Sequence, residues 1–159
     1  KGSRMWRGAK TSNEKSLTNT AFLRTRIEFI NSFFAENEID EIWITFPDPH
    51  PGKKNSNRRL TCPWFLNKYR LLLKDNGIVH LKTDNEELYN YTCRTAGRNN
   101  LEILTSTNDL YGGAVTDDIL SIKTHYEQIF LSGGLKINYL SFRLQKNKVI
   151  SDDWPSKNK

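Results

Sequence analysis

One aspartate, Asp48, lies between Pro47 and Pro49 at the end of an apolar run. Proline fixes its own φ and restricts the residue before it to extended backbone, so this carboxylate has little conformational freedom. A carboxylate held in this way can position a reactant or stabilise a positive charge that develops during a reaction. A turn-forming aspartate is the alternative interpretation, although a turn does not require a second proline.

Two further acidic motifs have the spacing of helix caps. Asp84 ends the stretch HLKTD, and Glu87 follows three residues later, as in an N-cap with its box partner. Thr124 and Glu127 have the spacing of a capping box, which also places both side chains on one face of a helix. Either pair can cap a helix or hold a ligand, and the sequence leaves both interpretations open.

A cationic stretch follows Asp48. The chain has a net charge of +6, and between Pro49 and Lys74 it has no acidic residue at all. A solvated face explains many such runs, but the neighbouring lone acid and the position in a loop favour contact with a polyanion such as nucleic acid. The seven basic residues of this stretch are Lys53, Lys54, Arg58, Arg59, Lys68, Arg70 and Lys74.

The remaining reactive residue types give no catalytic or metal-binding pattern. His50, His80 and His125 have no metal-ligand spacing, and His80 falls inside a predicted strand, where a core role is expected. Cys62 and Cys93 form no CxxC motif and are expected to be free thiols in a reducing, cytoplasmic compartment. Because no metal-ligand spacing occurs, we expect no metal. No apolar run approaches the roughly 20 residues of a membrane span, so we expect no membrane partner.

The elements that must position these residues follow from hydrophobic periodicity. Strand and helix patterns alternate, which predicts one α/β domain of βαβ units over residues 1–146. In such sheets ligands bind beyond the carboxyl ends of the strands, where Asp48 and Asp84 fall. The predicted strands are 21–25, 41–46, 78–83, 101–107 and 136–144, and the predicted helices are 26–38, 63–74, 85–97 and 121–134. The other predictions are irregular chain at 1–12, helical turns at 13–19, a loop at 108–120 and a polar tail at 147–159.

Three motifs in a fixed order resemble the bacterial TrmB type of the tRNA (guanine-N7-)-methyltransferase family. They are PDP before basic residues, TDN after a strand, and T-x-Y-E on a late helix. The resemblance implies a Rossmann-like class I methyltransferase fold that uses S-adenosyl-L-methionine and methylates guanine N7 in the variable loop of tRNA. The matching segments are KGSRMWRGAK, LTNTAFLRTRIEFI, EIWITFPDPHPGKKNSNRRL, VHLKTDN and THYEQIF.

The resemblance also implies roles for individual residues. Asp48 matches the catalytic aspartate, which lies near the cofactor, and Thr25 and Arg26 fall where the family contacts the cofactor adenine. The chain has Gly52 where many members have lysine, so Lys53 is expected to replace it, and His50 where tryptophan is common. The implied substrate-binding residues are Lys53, Asp84, Thr124 and Glu127, and the expected tRNA phosphate contacts are Lys54, Arg58 and Arg59. A monomer or weak homodimer is expected.

The beginning of the family domain has no match in the sequence. In the family, the first strand and its Gly-rich cofactor turn precede the segment KGSRMWRG, and no GxGxxG-like element occurs near the start of this chain. The chain is therefore expected to be the C-terminal two-thirds of the domain and could be inactive alone. Two alternatives stay open: a non-catalytic RNA-binding partial domain, and a methyltransferase acting on another substrate such as a protein or a free base.

Overall fold

A computed structural model describes residues 2–113 and 117–151 of the chain. The chain divides into two units, Lys1–Phe33 and Phe34–Lys159. Three residues of the predicted loop 108–120 and most of the predicted tail 147–159 lie outside the described residues.

The first unit contains helix α1 (Gly2–Glu14) and a short 3-10 helix (Ile27–Ser32). Irregular chain at 1–12 and helical turns at 13–19 were wrong predictions. The two glycines of this segment lower its intrinsic helix propensity, yet it contains no proline and α1 runs on until the turn at Ser16, whose φ is 52°. The predicted strand 21–25 pairs with no strand among the described residues, and the predicted helix 26–38 is reduced to the 3-10 helix.

A mixed four-stranded sheet organises the second unit, with strand order β1-β2-β4-β3. Strands β1 and β2 are parallel, and β4 is antiparallel to both β2 and β3. The βαβ unit β1-α2-β2 confirms the predicted α/β fold class. The strands are β1 (Ile39–Thr45), β2 (Leu73–Thr83), β3 (Ile103–Thr107) and β4 (Asn138–Leu144). The helices are a second 3-10 helix (Lys53–Arg58), α2 (Pro63–Leu72), α3 (Glu86–Arg98), α4 (Asp118–Ser121) and α5 (His125–Ser132).

Local sequence explains most of these boundaries. Helix α2 begins with Pro63 directly after the N-cap Cys62, as expected for a proline whose missing N–H costs nothing at that position. Strand β2 begins earlier than predicted, because Leu73 already pairs with Ile39 and the chain then shifts register at a bulge. Asn76, which lies between the predicted helix 63–74 and the predicted strand 78–83, has a φ of 60° within this irregular part of the strand.

The predicted helix 121–134 is shortened to α5, and α4 lies almost entirely within the predicted loop 108–120. Thr124 is the N-cap of α5 and has extended backbone, so the helical turn α4 cannot continue into α5. Asp117 caps α4 by accepting hydrogen bonds from the N–H groups of Ile119 and Leu120. A periodic apolar pattern does not reveal such a break, whereas the capping spacing does.

The two faces of the sheet have different surroundings. One face carries Val79 and Leu81, and α2 and α3 contact β2. The opposite face carries an apolar cluster of Leu110, Ile137 and Tyr139. At the C-terminus, Ile150 is buried and its backbone N–H and C=O bond to the side chain of Asn67, so the described end of the predicted tail packs on this unit.

Candidate functional site

Two strand ends bring Asp48 and Asp84 to one edge of the sheet. Thr45 of β1 pairs in parallel with Lys82 of β2, and Phe46 N–H donates to the Lys82 carbonyl at 2.8 Å. Asp48 follows Thr45 by three residues, and Asp84 follows Lys82 by two. The predicted position of both acids beyond the carboxyl ends of strands is therefore confirmed, and the two strands are parallel neighbours.

The backbone around Asp48 is strained. Phe46 and His50 have φ values of 49° and 43°, and Gly52 has a φ of 81°. Positive φ is uncommon for residues other than glycine and persists where surrounding contacts impose it. The Asp48 carboxylate is exposed and, from the described residues, accepts one hydrogen bond, donated by His50 N–H at 3.3 Å. This local bond supports the turn interpretation, but the turn leaves most of the carboxylate free for a ligand.

Asp84 is not the helix cap that its spacing suggested. The N-cap of α3 is Asn85, whose side chain accepts a hydrogen bond from Leu88 N–H at 2.8 Å. Glu87, the expected box partner, instead accepts from Gly52 N–H at 3.2 Å and from Arg59 at 2.6 Å. Asp84 is half-buried and has no hydrogen-bond or ion-pair partner within residues 2–113 and 117–151. Its carboxylate is therefore available at the same edge as Asp48.

A buried polar network lies near the N-terminus of α5. Lys82 Nζ is 2.6 Å from Glu127 Oε1, and the Tyr111 hydroxyl donates to the same oxygen at 2.5 Å. Glu127 is 0% exposed and Lys82 is 3% exposed. Burial, and then the hydrogen bond to the Glu127 carboxylate, raise the pKa of Tyr111 well above its usual value. The tyrosine therefore stays a neutral donor to the carboxylate.

The capping interpretation of Thr124 and Glu127 is confirmed. The Thr124 hydroxyl accepts from Glu127 N–H at 3.2 Å, and Glu127 Oε2 accepts from Thr124 N–H at 3.0 Å. Because Glu127 is fully buried, a ligand can reach it only after its surroundings rearrange. Substrate binding by this pair stays a prediction. The sequence analysis missed Lys82, although a lysine inside a predicted buried strand signals a buried partner.

The side chains of the cationic stretch differ in exposure and in their contacts. Lys53, Lys54 and Arg58 are exposed on the second 3-10 helix. Three other basic side chains of the stretch contact residues of the chain. Lys68 lies over the ring of Trp64 at 4.7 Å, Arg70 donates to the Lys146 carbonyl, and Lys74 pairs with Asp40.

The prediction that Arg59 binds tRNA phosphate was wrong. Arg59 is 3% exposed, and its guanidinium bonds to two backbone carbonyls and to Glu87. The hydrogen bond from Arg59, followed by that from Gly52 N–H, holds the pKa of Glu87 below its usual range. Adjacent arginines thus have opposite environments, because Arg58 points to solvent and Arg59 to the interior.

His80 has the core position predicted for it. The side chain is buried, stacks on Trp43 at 3.9 Å and bonds through Nδ1 to the Tyr139 hydroxyl at 2.8 Å. Its Nε2 lies 3.3 Å from Glu41 Oε2 but without hydrogen-bond geometry. Burial lowers the pKa of His80, and the Glu41 carboxylate opposes that shift. The lowered pKa favours the neutral imidazole of His80, which packs on one face of the sheet.

Thr25 and Arg26, the expected cofactor contacts, lie in the first unit. Arg26 pairs with Glu28 at 3.1 Å and lies over Phe29. Their role stays a prediction. Within the described residues, no three His, Cys, Asp or Glu side chains form a group suited to a metal ion. The helices of those residues are all too short or too polar to cross a membrane.

Strand-end carboxylates followed by an exposed cationic helix mark a candidate site at one edge of the sheet in an α/β protein. The model of a family described as putative methyltransferase matches residues 5–140, and the chain belongs to that family. This membership agrees with the Rossmann-like methyltransferase fold that the sequence predicted.

Relatives with curated names are also similar to the chain. A tRNA (guanine-N(7)-)-methyltransferase of Bacteroides thetaiotaomicron is 48% identical over 96% of this chain and 60% of its own length. One of Porphyromonas gingivalis is 50% identical over 91% of this chain and 59% of its own length. The chain thus spans about 60% of the length of these relatives. A geranyl diphosphate C-methyltransferase structure from Streptomyces coelicolor has a TM-score of 0.44 over 87% of this chain and 59% of its own, at 13% identity, which is too distant to add to the assignment.

Proposed function

We propose that the protein containing this chain methylates guanine N7 in the variable loop of tRNA, with S-adenosyl-L-methionine as the methyl donor. The main support is the pair of available carboxylates, Asp48 and Asp84, at one sheet edge beside exposed cations. The names of the relatives support the same activity. We also propose a cytoplasmic protein that acts as a monomer or weak homodimer.

The proposed chemistry needs positioning more than proton transfer. Guanine N7 has a lone pair and no hydrogen, so no base must remove a proton before the methyl group is attacked. The purine becomes positively charged as the bond forms, and a fixed carboxylate stabilises that charge. Asp48 has the required features, because it is exposed and lies between two prolines that restrict its backbone. This accounts for a site without a catalytic histidine or cysteine.

Asp84 is the proposed acceptor for the Watson–Crick edge of guanine. That edge presents N1–H and N2–H₂ donors, which adenine lacks in this arrangement, so a carboxylate favours guanine. Asp84 suits this role because its oxygens have no partner within the described parts of the chain. Lys53 is the second proposed substrate contact, and Thr124 and Glu127 contribute after a rearrangement around Lys82. A base in a folded tRNA loop must leave its stack to enter such a site.

The available carboxylate of Asp48 also fits the proposed cofactor. When bound, S-adenosyl-L-methionine supplies a methyl group on a positively charged sulfur, and an exposed carboxylate at a strand end is a suitable neighbour for that charge. Thr25 and Arg26 are proposed to hold the adenine side. Lys53, Lys54 and Arg58 are proposed to orient the tRNA through its phosphates.

The decisive experiment is methyl transfer from labelled S-adenosyl-L-methionine to unmodified tRNA by the full-length protein, followed by mapping of the modified base. We expect 7-methylguanosine in the variable loop. The matched control is the same tRNA with 7-deazaguanosine at that position, which lacks the N7 lone pair and should accept no label. Label on the deaza tRNA, on protein or on free guanine would reject the proposal. Tight, salt-sensitive tRNA binding without any transfer would favour the non-catalytic RNA-binding alternative.

A further inference from the structure

We propose that Arg59 is a positioning residue that sets the location of Asp48 relative to Asp84, an inference that rests on the proposed function. Arg59 touches neither carboxylate. It acts through the backbone of the loop that carries Asp48 and through the first turn of the helix that follows Asp84.

On the loop side, Arg59 binds the two residues that come directly after Asp48. Its Nε donates to the Pro49 carbonyl at 3.1 Å and to the His50 carbonyl at 3.2 Å, and Nη2 donates to the His50 carbonyl at 3.1 Å. His50 is one of the positions with positive φ. One guanidinium therefore holds the strained peptide that determines where the Asp48 side chain begins.

On the helix side, Arg59 binds the first turn of α3. Nη2 donates to Glu87 Oε1 at 2.6 Å, and the same oxygen accepts from Gly52 N–H at 3.2 Å. The guanidinium also lies over the ring of Tyr91, 4.5 Å from its centre. Because Glu87 follows Asp84 by three residues, these contacts connect the Asp48 loop to the chain segment that carries Asp84.

The contacts require an arginine in particular. A planar guanidinium presents donors in several fixed directions and stacks on an aromatic ring, whereas a lysine ammonium offers one compact donor group. A second contact, between the Thr61 and Thr92 hydroxyls at 2.7 Å, joins the chain after the loop to α3 independently of Arg59. Replacing Arg59 by lysine is therefore expected to loosen the loop while the fold persists.

The test compares Arg59→Lys with Arg143→Lys in the full-length protein. Arg143 is a matched control, since it also binds one glutamate, Glu102, and one backbone carbonyl, that of Asn76, away from the strand ends. We expect Arg59→Lys to lower kcat for tRNA methylation about 10- to 100-fold, because small misplacements of a reacting group have effects of this size. The KM for tRNA should stay within about threefold, and its salt dependence should not change, since a buried side chain makes no phosphate contact. Arg143→Lys should leave kcat unchanged.

A second measurement does not depend on activity. Hydrogen exchange at the His50 and Gly52 amides of the substrate-free protein should be at least about tenfold faster in Arg59→Lys and unchanged in Arg143→Lys. If Arg59→Lys does not fold, Glu87→Gln replaces it; this change weakens the charged partner and should speed the same amides and lower kcat to a smaller degree.

Three results would overturn the inference: unchanged exchange at both amides, an unchanged kcat in a variant with faster exchange, or a raised KM with a shallower salt dependence. If the unaltered protein forms no 7-methylguanosine, the proposed function fails, and the positioning role fails with it even where exchange shows that Arg59 holds the loop. An active unaltered protein with an unaffected Arg59→Lys variant rejects the positioning role alone.

Discussion

The loop after β1 and the N-terminus of α5 each carry a carboxylate that the sequence assigned to the site, and the fold surrounds the two differently. Asp48 is exposed and accepts one local hydrogen bond at 3.3 Å. Glu127 is fully buried against Lys82 and Tyr111. Burying a charge is costly unless partners and hydrogen bonds compensate it, so Glu127 can meet a ligand only after its surroundings rearrange. Asp48 keeps its bonding capacity for a ligand.

The cations follow the same division. Lys82 and Arg59 are buried and each is paired with a glutamate, whereas Lys54 and Arg58 are exposed. Charge type alone therefore says little about role in this protein. Burial separates the side chains that maintain the site from those that could meet a substrate, and four experiments test that separation.

The largest effect is expected from Lys82→Met, which leaves the buried Glu127 carboxylate without its ion-pair partner. We expect the free energy of unfolding to fall by about 3–5 kcal/mol, measured by urea denaturation. Lys136→Met is the matched control, because Lys136 is exposed where it pairs with Asp109, and its replacement should cost at most about 1 kcal/mol. The double variant Lys82→Met with Glu127→Gln should recover part of the loss. Equal losses of unfolding free energy in Lys82→Met and Lys136→Met would contradict the division between buried and exposed charges.

Asp48→Asn should have the next largest effect, on turnover instead of stability. Removing the charge takes away stabilisation of the developing cation, so we expect kcat for tRNA methylation to fall about 10²- to 10³-fold. The affinity for tRNA and the unfolding midpoint should be nearly unchanged. Asp75→Asn is the control, because Asp75 is exposed and bonds to Lys146 N–H, away from the strand ends. Retained turnover in Asp48→Asn would leave Asp48 with only a turn-forming role.

Removal of exposed loop cations should change binding moderately. Arg58→Ala and Lys54→Ala should each weaken tRNA binding and lower the slope of log K against log salt by about one. Lys74→Ala is the control within the same acid-free stretch, since Lys74 is already paired with Asp40. Titrations at several salt concentrations check this. A slope unchanged by Arg58→Ala and Lys54→Ala would count against phosphate contacts on this helix.

The smallest effect concerns the pH dependence of stability at His80. Burial lowers the pKa of folded His80, whereas in the unfolded chain it is about 6.5. A group with a depressed folded pKa contributes stability that is present above the unfolded pKa and lost as pH falls through the folded value. We therefore expect Tm to decline on acidification from about pH 7.5 to 5.5, and less so in His80→Gln. His125→Gln serves as the control because His125 is exposed. An equal decline of Tm in the unaltered protein and in both variants would show that His80 is not the cause.

Features with neighbouring partners were predictable from the sequence. The apolar run that forms β1 and the helix that begins at Pro63 were predicted, and capping by Thr124 and Glu127 was one of two interpretations left open. Each of these features depends on residues within a few positions. Helix α1 was missed because its glycines suggest irregular chain. The N-cap of α3 was misplaced by one residue, since Asp84 and Asn85 are both suitable caps and only the backbone distinguishes them.

Pairs that are distant along the chain were decided by the tertiary structure. Residue types and their order indicated an α/β domain with strand-end acids and a cationic loop, and the resemblance of three motifs to a known family implied a methyltransferase. They could not separate Arg58 from Arg59, or Asp48 from Glu127, because the free energy of a charge depends on the solvent and partners around it. Those partners come from other strands and helices: Lys82 from β2 for Glu127, and Glu87 from α3 for Arg59. Only folding brings them together, and only then does each charge become structural or available.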